Sequence, residues 1–334
     1  MRKTFRITAI VVLLAAIAYF MGPRPAKAVF SSALPAVPGN LENLQEFILK
    51  QESMHKLKPD NQARIVWADS LKQKTDFSIV YLHGFSASQE EGDPLHVETA
   101  RKFGCNLYLS RLAEHGIDTI DPLKNITVDK YWESAKQALQ IGKQLGRRVI
   151  VMGTSTGGSL ALKLAAEFSK DVYGLVLLSP NVKLFDKNAY LLNNPWGLQL
   201  ARMILKSDYI ESKDQRPVYK QYWNSQYPIE AVVQLQEFLE SGMTEETFKR
   251  VTRPTLMMYY YKDQVHQDSV VSVVAMTKMF GQLGTAGNLK RAVNIPTAGN
   301  HVLGSPLKSK DVESVMREVD AFMTDILRLQ KKEP

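Results

Sequence analysis

The chain has 334 residues, 45% of them hydrophobic, with ordinary Gly and Pro usage, so it can bury a full core and is not a disordered polymer. Its net charge of +8 is not spread evenly: Arg2, Lys3, Arg6, Arg24 and Lys27 fall within the first 28 residues, which hold no acid, and the remainder carries +3. That distribution removes the basis for a nucleic-acid-binding surface and assigns the basic excess to a targeting segment.

The segment continues as an apolar run from Ile7 to Met21, enough for about 22 Å of helix against the ~30 Å of a bilayer core. Two export readings of residues 1–28 stay open, beside the plainer one of a cytoplasmic protein. Ala26-Lys27-Ala28 offers a signal-peptidase site before Val29, whereas Pro23, Pro25, Arg24 and Lys27 in the would-be cleavage region favour an uncleaved N-terminal membrane anchor. Either way the protein is expected to be exported, periplasmic or otherwise extracytoplasmic, and secreted or membrane-anchored. Cys105 is the sole cysteine and reads as a small buried apolar residue. No Cys/His cluster has ligand spacing, so no metal is expected.

Residues 29–59 read as a linker, with Pro35 and Pro38, followed by a helix from Leu41. Strands are expected at 63–68 and 77–82, the second a continuous apolar run suited to a parallel strand buried on both faces. A helix at 94–103, a strand at 105–109 and an amphipathic helix at 128–145 follow. The next strand, from Arg148, runs straight into Gly153-Thr154-Ser155-Thr156-Gly157 and then a helix to about Phe168. G-x-S-x-G between a strand and a helix lifts a serine hydroxyl clear of the sheet, which makes Ser155 the candidate nucleophile. The first amides of that helix, including that of Thr156, point outward and suit an oxyanion.

A strand at 172–178 continues an α/β alternation that predicts a doubly wound, mostly parallel sheet. The alternation then breaks: 76 residues separate Leu178 from Thr255, far more than the ~15–20 of an ordinary crossover. Residues 181–251 hold ten of the thirty aromatics, among them Trp196, Tyr219, Trp223 and Tyr227, and read as a helical lid on a core formed by 60–180 and 252–334. Those rings suit either an acyl pocket or the lid's own core. Regular elements resume with a strand at 255–261, a helix at 268–283, a strand at 289–295 and a closing helix at 309–329.

A serine nucleophile needs a base, and the base an orienting acid, both near the C-terminal edge of the sheet. Asp263 follows the 255–261 strand and His301 follows the 289–295 strand, giving the order Ser155, Asp263, His301. Asp268 is the rival acid, although it also fits a helix N-cap. His55, His96, His115 and His266 read as ordinary packing or surface residues.

With these residues in place, roughly 60–330 of the chain resembles the α/β-hydrolases, in particular lid-bearing carboxylesterases and monoacylglycerol-lipase-like serine hydrolases. His83-Gly84-Phe85 after the second strand carries the likeness further. It implies that the Phe85 backbone amide is an oxyanion donor beside Thr156, and that His83 shapes the loop. One departure touches the acid: the family's glycine shortly before it is replaced by Tyr260-Tyr261-Lys262. The resemblance implies a cofactor-free hydrolase of small carboxylic esters, of short or medium acyl chain, monoglyceride-like or lysophospholipid-like, with thioesters and amides as further options. The rival reading is a membrane-tethered binding module that keeps the fold without turnover.

Overall fold

The computed structural model describes residues 2–332. Among the described residues there are nine strands: β1 (Arg64–Val66), β2 (Thr75–Leu82), β3 (Asn106–Leu109), β4 (Gly146–Thr154), β5 (Val172–Leu178), β6 (Tyr209–Glu211), β7 (Gln226–Pro228), β8 (Thr255–Tyr259) and β9 (Lys290–Asn294). Seven form one sheet in the order β1-β3-β2-β4-β5-β8-β9, parallel except for β1, which runs antiparallel to β3. The chain moves outward from β2 to β3 and returns across it to β4. The strand order therefore reverses at β2 and β4, and a crevice opens at their C-terminal ends, where open α/β sheets bind ligands.

Side chains alternate across the sheet with the period of two that a strand imposes. Val80 and Leu82 of β2, with Val151 of β4 and Leu175 and Leu177 of β5, enter one core. Ile79, Tyr81, Ile150, Met152, Val176 and Leu178 enter the other. The first core is closed by α2 (Leu41–Ser53), α4 (Val128–Leu145), α5 (Thr156–Glu167) and α10 (Val273–Gln282), the second by α3 (Leu95–Phe103) and α11 (Val312–Ala321). The expected doubly wound sheet is thus present. Two helices are shorter than the sequence suggests. The helix expected from Asp268 starts at Val273, capped by Ser272, whose Oγ accepts the Ala275 amide, and the closing helix proper spans Val312–Ala321.

The long crossover between β5 and β8 is largely helical, built from α6 (Gly197–Leu205), α7 (Pro217–Tyr222), α8 (Ile229–Gly242) and α9 (Glu245–Arg250), with β6 and β7 pairing as a separate ribbon. At the other end of the chain, α1 (Arg2–Phe20) leaves Phe5, Ile10, Leu13 and Leu14 exposed. Among the described residues, no helix is long and apolar enough to cross a membrane. Residues 28–34 form no regular element but are docked, unlike a free linker. The Ala28 amide donates to Glu237, the Trp132 indole to the Ser31 carbonyl and Lys136 to the Ala33 carbonyl, while Phe30 packs edge-on against Trp132 and Phe238.

Candidate active site

β4 ends at Thr154 and α5 begins at Thr156, so Ser155 alone makes the turn. Its φ of 53° and ψ of −120° lie where a non-glycine residue is strained by on the order of 1–3 kcal/mol. Hydrogen bonds hold it there: its amide donates to the Leu178 carbonyl at 2.8 Å and its carbonyl accepts the Asn181 amide at 2.9 Å. Steric fit explains the flanking glycines. A Cβ on Gly157 would lie 1.9 Å from the Leu82 carbonyl oxygen, and one on Gly153 would lie 2.4 Å from that of Gly157. Strand and helix can approach this closely only without those side chains.

His301 stands in the loop after β9, which turns through Gly299 at a φ of 66°. Its backbone is anchored from the end of β5, where Ser179 Oγ donates to the His301 carbonyl at 2.8 Å. Its Nδ1 lies 2.6 Å from Oδ2 of Asp268, a carboxylate with no exposed surface. The other carboxylate oxygen of Asp268 accepts the Val270 and Val271 amides at 2.8 and 3.0 Å, which fixes its direction. Burial alone would lower the His301 pKa. The charge and hydrogen bond of Asp268, reinforced by Glu91, outweigh it and raise the pKa above its ordinary value. Nε2 is buried and has no hydrogen-bond partner among the described residues.

Asp263, the acid expected from the sequence, is not brought to His301. It is exposed and accepts the His266 amide at 2.7 Å and the His266 ring at 3.0 Å. The path of the chain explains the correction. After β8, the Lys262 and Asp263 amides both donate to the His266 carbonyl, and Tyr261 bridges Gln267, closing a small excursion. The Asp268 amide then donates to the Tyr260 carbonyl. In space, therefore, Asp268 directly follows the strand end, and the residues between project into solvent.

The loop after β2 is fastened by side chains of which the sequence reading singled out one. His83 donates from Nδ1 to the Gly84 carbonyl and accepts the Leu112 amide at Nε2. His115, read from sequence as an ordinary packing residue, accepts the Ser86 amide at Nε2 and donates from Nδ1 to the Ala113 carbonyl. Burial lowers both imidazoles, that of His83 to about 4, so they remain neutral acceptors. Glu91 accepts the Gly84 amide at 2.6 Å. No local motif announces His115 or Glu91, because each acts on a backbone amide several residues away or more. The Phe85 and Thr156 amides donate to no protein group among the described residues.

Ser155, Thr156, Phe85, Glu91 and His301 line one cavity of about 350 Å³. The crossover supplies Tyr219, Trp223, Tyr227 and Leu235 to its wall, and core loops add Val270, Asn300 and Lys308. Tyr219 and Trp223 stack at 5.3 Å, and Lys308 lies 4.2 Å over the Tyr219 ring while paired with Asp214 at 2.7 Å. Core residues clasp this part of the crossover: Lys58 donates to the Lys220 and Trp223 carbonyls, and the Ser86 carbonyl accepts the Asn224 amide. No group of three or more His, Cys, Asp or Glu with metal-holding geometry occurs among the described residues.

No family model matches the chain, and no curated protein matches it in sequence. Solved structures do match it in fold. A metagenome-derived lipolytic enzyme, from work on LipS and LipT, gives a TM-score of 0.63 at 17% identity over 80% of this chain and 99% of that one. Est1E of Butyrivibrio proteoclasticus with ferulic acid bound gives 0.56 at 18% identity over 80% and 95%. A monoacylglycerol lipase of Paleococcus ferrophilus gives 0.56 at 12% identity over 77% and 95%.

Proposed function

From the α/β-hydrolase fold that the chain shares with these enzymes, we propose that the protein is a serine hydrolase of carboxylic esters, acting through an acyl-enzyme on Ser155. The observation that carries the reading is the buried Asp268–His301 pair at 2.6 Å, whose free Nε2 belongs to the residue lining the same cavity as Ser155.

In this mechanism His301 Nε2 takes the Ser155 proton as Oγ attacks the ester carbonyl. The negative oxygen that forms is held by the Phe85 and Thr156 amides, each worth on the order of 3 kcal/mol in such a site. Collapse expels the alcohol, protonated by His301. Water, deprotonated by the same imidazole, then attacks the acyl-serine and releases the acid. Asp268 keeps the proton on Nδ1 and stabilises the imidazolium. Each step is served by these groups, without a cofactor.

The cavity stands near the lower end of ligand pockets, which run from roughly 300 to 1,000 Å³, and its walls combine aromatic and aliphatic side chains with polar ones such as Asn181 and Asn300. Both features support esters of short or medium acyl chain, with the crossover acting as the lid that sets acyl length. Monoglyceride-like and lysophospholipid-like esters belong to the same range. Residues 1–28 serve export: the apolar side chains of α1 stay exposed, while the Ala18 and Pro23 carbonyls accept the Trp196 indole and amide.

A fluorophosphonate probe tests the proposal. Stoichiometric labelling at Ser155, abolished in Ser155→Ala and strongly slowed in His301→Ala, is expected. A folded protein that neither labels nor hydrolyses any of a panel of p-nitrophenyl esters would refute it.

A further inference from the structure

The reaction above leaves one buried ionisable group beside the nucleophile without a task. Glu91 is 3% exposed, and its Oε2 accepts the Gly84 amide at 2.6 Å. A Cβ on Gly84 would lie 2.9 Å from both carboxyl oxygens and 3.0 Å from the Ser155 Cβ, so Gly84 is a thin spacer between carboxyl and nucleophile. Trp223 of the crossover lines the same cavity as this carboxyl, and its ring packs with Ala87 and Val302. Burying a carboxyl is costly, and a purely structural role would be filled as well by an apolar side chain.

We propose that Glu91 is a positioning residue, fixing the direction of the Phe85 oxyanion amide. The proposal rests on the ester-hydrolase reading. Its physical basis is the planarity of the peptide group. The Gly84 carbonyl and the Phe85 N–H share one plane, which His83 Nδ1 holds through the carbonyl. The preceding plane carries the Gly84 N–H, which Glu91 holds. Glycine is the residue least able to resist rotation between two such planes. With both planes bonded, the Phe85 N–H stays aimed without reorganisation when charge develops.

The reach of the side chain, not its charge, performs this task. A carboxylate beside the oxyanion would repel it, and burial pushes the Glu91 pKa up to about 7, so that the neutral acid is well populated at neutral pH. The titratable groups facing it are His301, Tyr81 of β2, Tyr131 of α4 and Tyr219 of α7. Burial raises the three phenols, so they stay neutral, and Glu90 and Asp93 on its own turn are raised by burial as well.

Three variants test it, each measured for kcat and KM on the best p-nitrophenyl ester, for probe labelling and for thermal melting. Glu91→Ala should lose on the order of tenfold to a hundredfold in kcat with KM within about twofold. Glu91→Gln, which keeps the acceptor and discards the charge, should retain most of kcat at neutral pH. Glu91→Asp, which keeps the charge and falls one methylene short, should resemble the alanine variant. Unchanged kcat in Glu91→Ala, or a loss confined to KM, overturns the proposal. Should the alanine variant not fold, the order of Gln above Asp decides, and equality or the reverse order overturns it. An unlabelled, inactive wild type would instead sink the hydrolase reading itself.

Discussion

Nδ1 of His301 lies 2.6 Å from a carboxylate oxygen of Asp268, while Asp263, five residues earlier and nearer the strand in sequence, turns its carboxylate to His266 in solvent. The two aspartates therefore have separable consequences. Asp268→Asn should lower kcat by about 10⁴-fold, because an amide leaves the imidazole in the wrong tautomer. Asp263→Asn should leave kcat within about twofold, as expected for an exposed surface change. Steady-state kinetics of the two purified variants checks both.

On the proposed mechanism, the raised His301 pKa should set the acid limb of the pH profile. The base works only when neutral, so kcat/KM should rise with pH through an inflection above the ordinary value of 6.5. Asp268→Asn removes the charge that holds the pKa up, and any residual activity should show the limb displaced to lower pH. A profile whose inflection is identical in both proteins would assign the limb to another group.

Glu91 gives stability its own pH dependence. Its pKa is about 7 in the fold and 4.5 in the ordinary state, so the folded protein holds a proton that the unfolded chain releases. Stability contributed in this way is present at low pH and declines as pH rises from about 4.5 to 7. Glu91→Gln removes the decline, and its melting temperature should exceed that of the wild type by a few degrees above pH 7. Scanning calorimetry of both proteins at pH 5 and pH 8 provides the comparison.

Gly157 tests the fit at the elbow. Alanine there places a methyl 1.9 Å from the Leu82 carbonyl, which the end of β2 cannot avoid without carrying the following Gly84–Ser86 loop with it. Gly157→Ala should cost about 1–3 kcal/mol of stability and most of the activity. Denaturant unfolding measures the first and ester hydrolysis the second. A fully active Gly157→Ala protein would contradict the described packing of α5 on β2.

Val232, on α8, faces the cavity and offers a handle on acyl length. Val232→Phe should preserve turnover of acetyl esters and depress that of longer ones, with each methylene excluded worth ~0.8 kcal/mol, roughly fourfold. A graded series of p-nitrophenyl esters reads the shift directly.

Read alone, the amino-acid order already determined whatever depends on consecutive residues. The turn at Ser155 follows from a strand, two flanking glycines and a helix, a steric arrangement complete within a dozen positions. The buried β2 and β5 follow from unbroken apolar runs, and the place of His301 follows from the alternation of elements. Tertiary structure decided which distant groups meet. Asp268 displaces Asp263 because the residues between Tyr260 and Asp268 close on themselves, and no local propensity reports where a loop returns. Glu91 and His115 hold amides of the Gly84–Ser86 loop through contacts of 7 and 29 residues, and residues 28–34 lie against α4 and α8 instead of hanging free. Such pairings are fixed by the closing of the whole sheet and its crossover, which alone brings remote side chains within hydrogen-bonding distance and shuts water away from them.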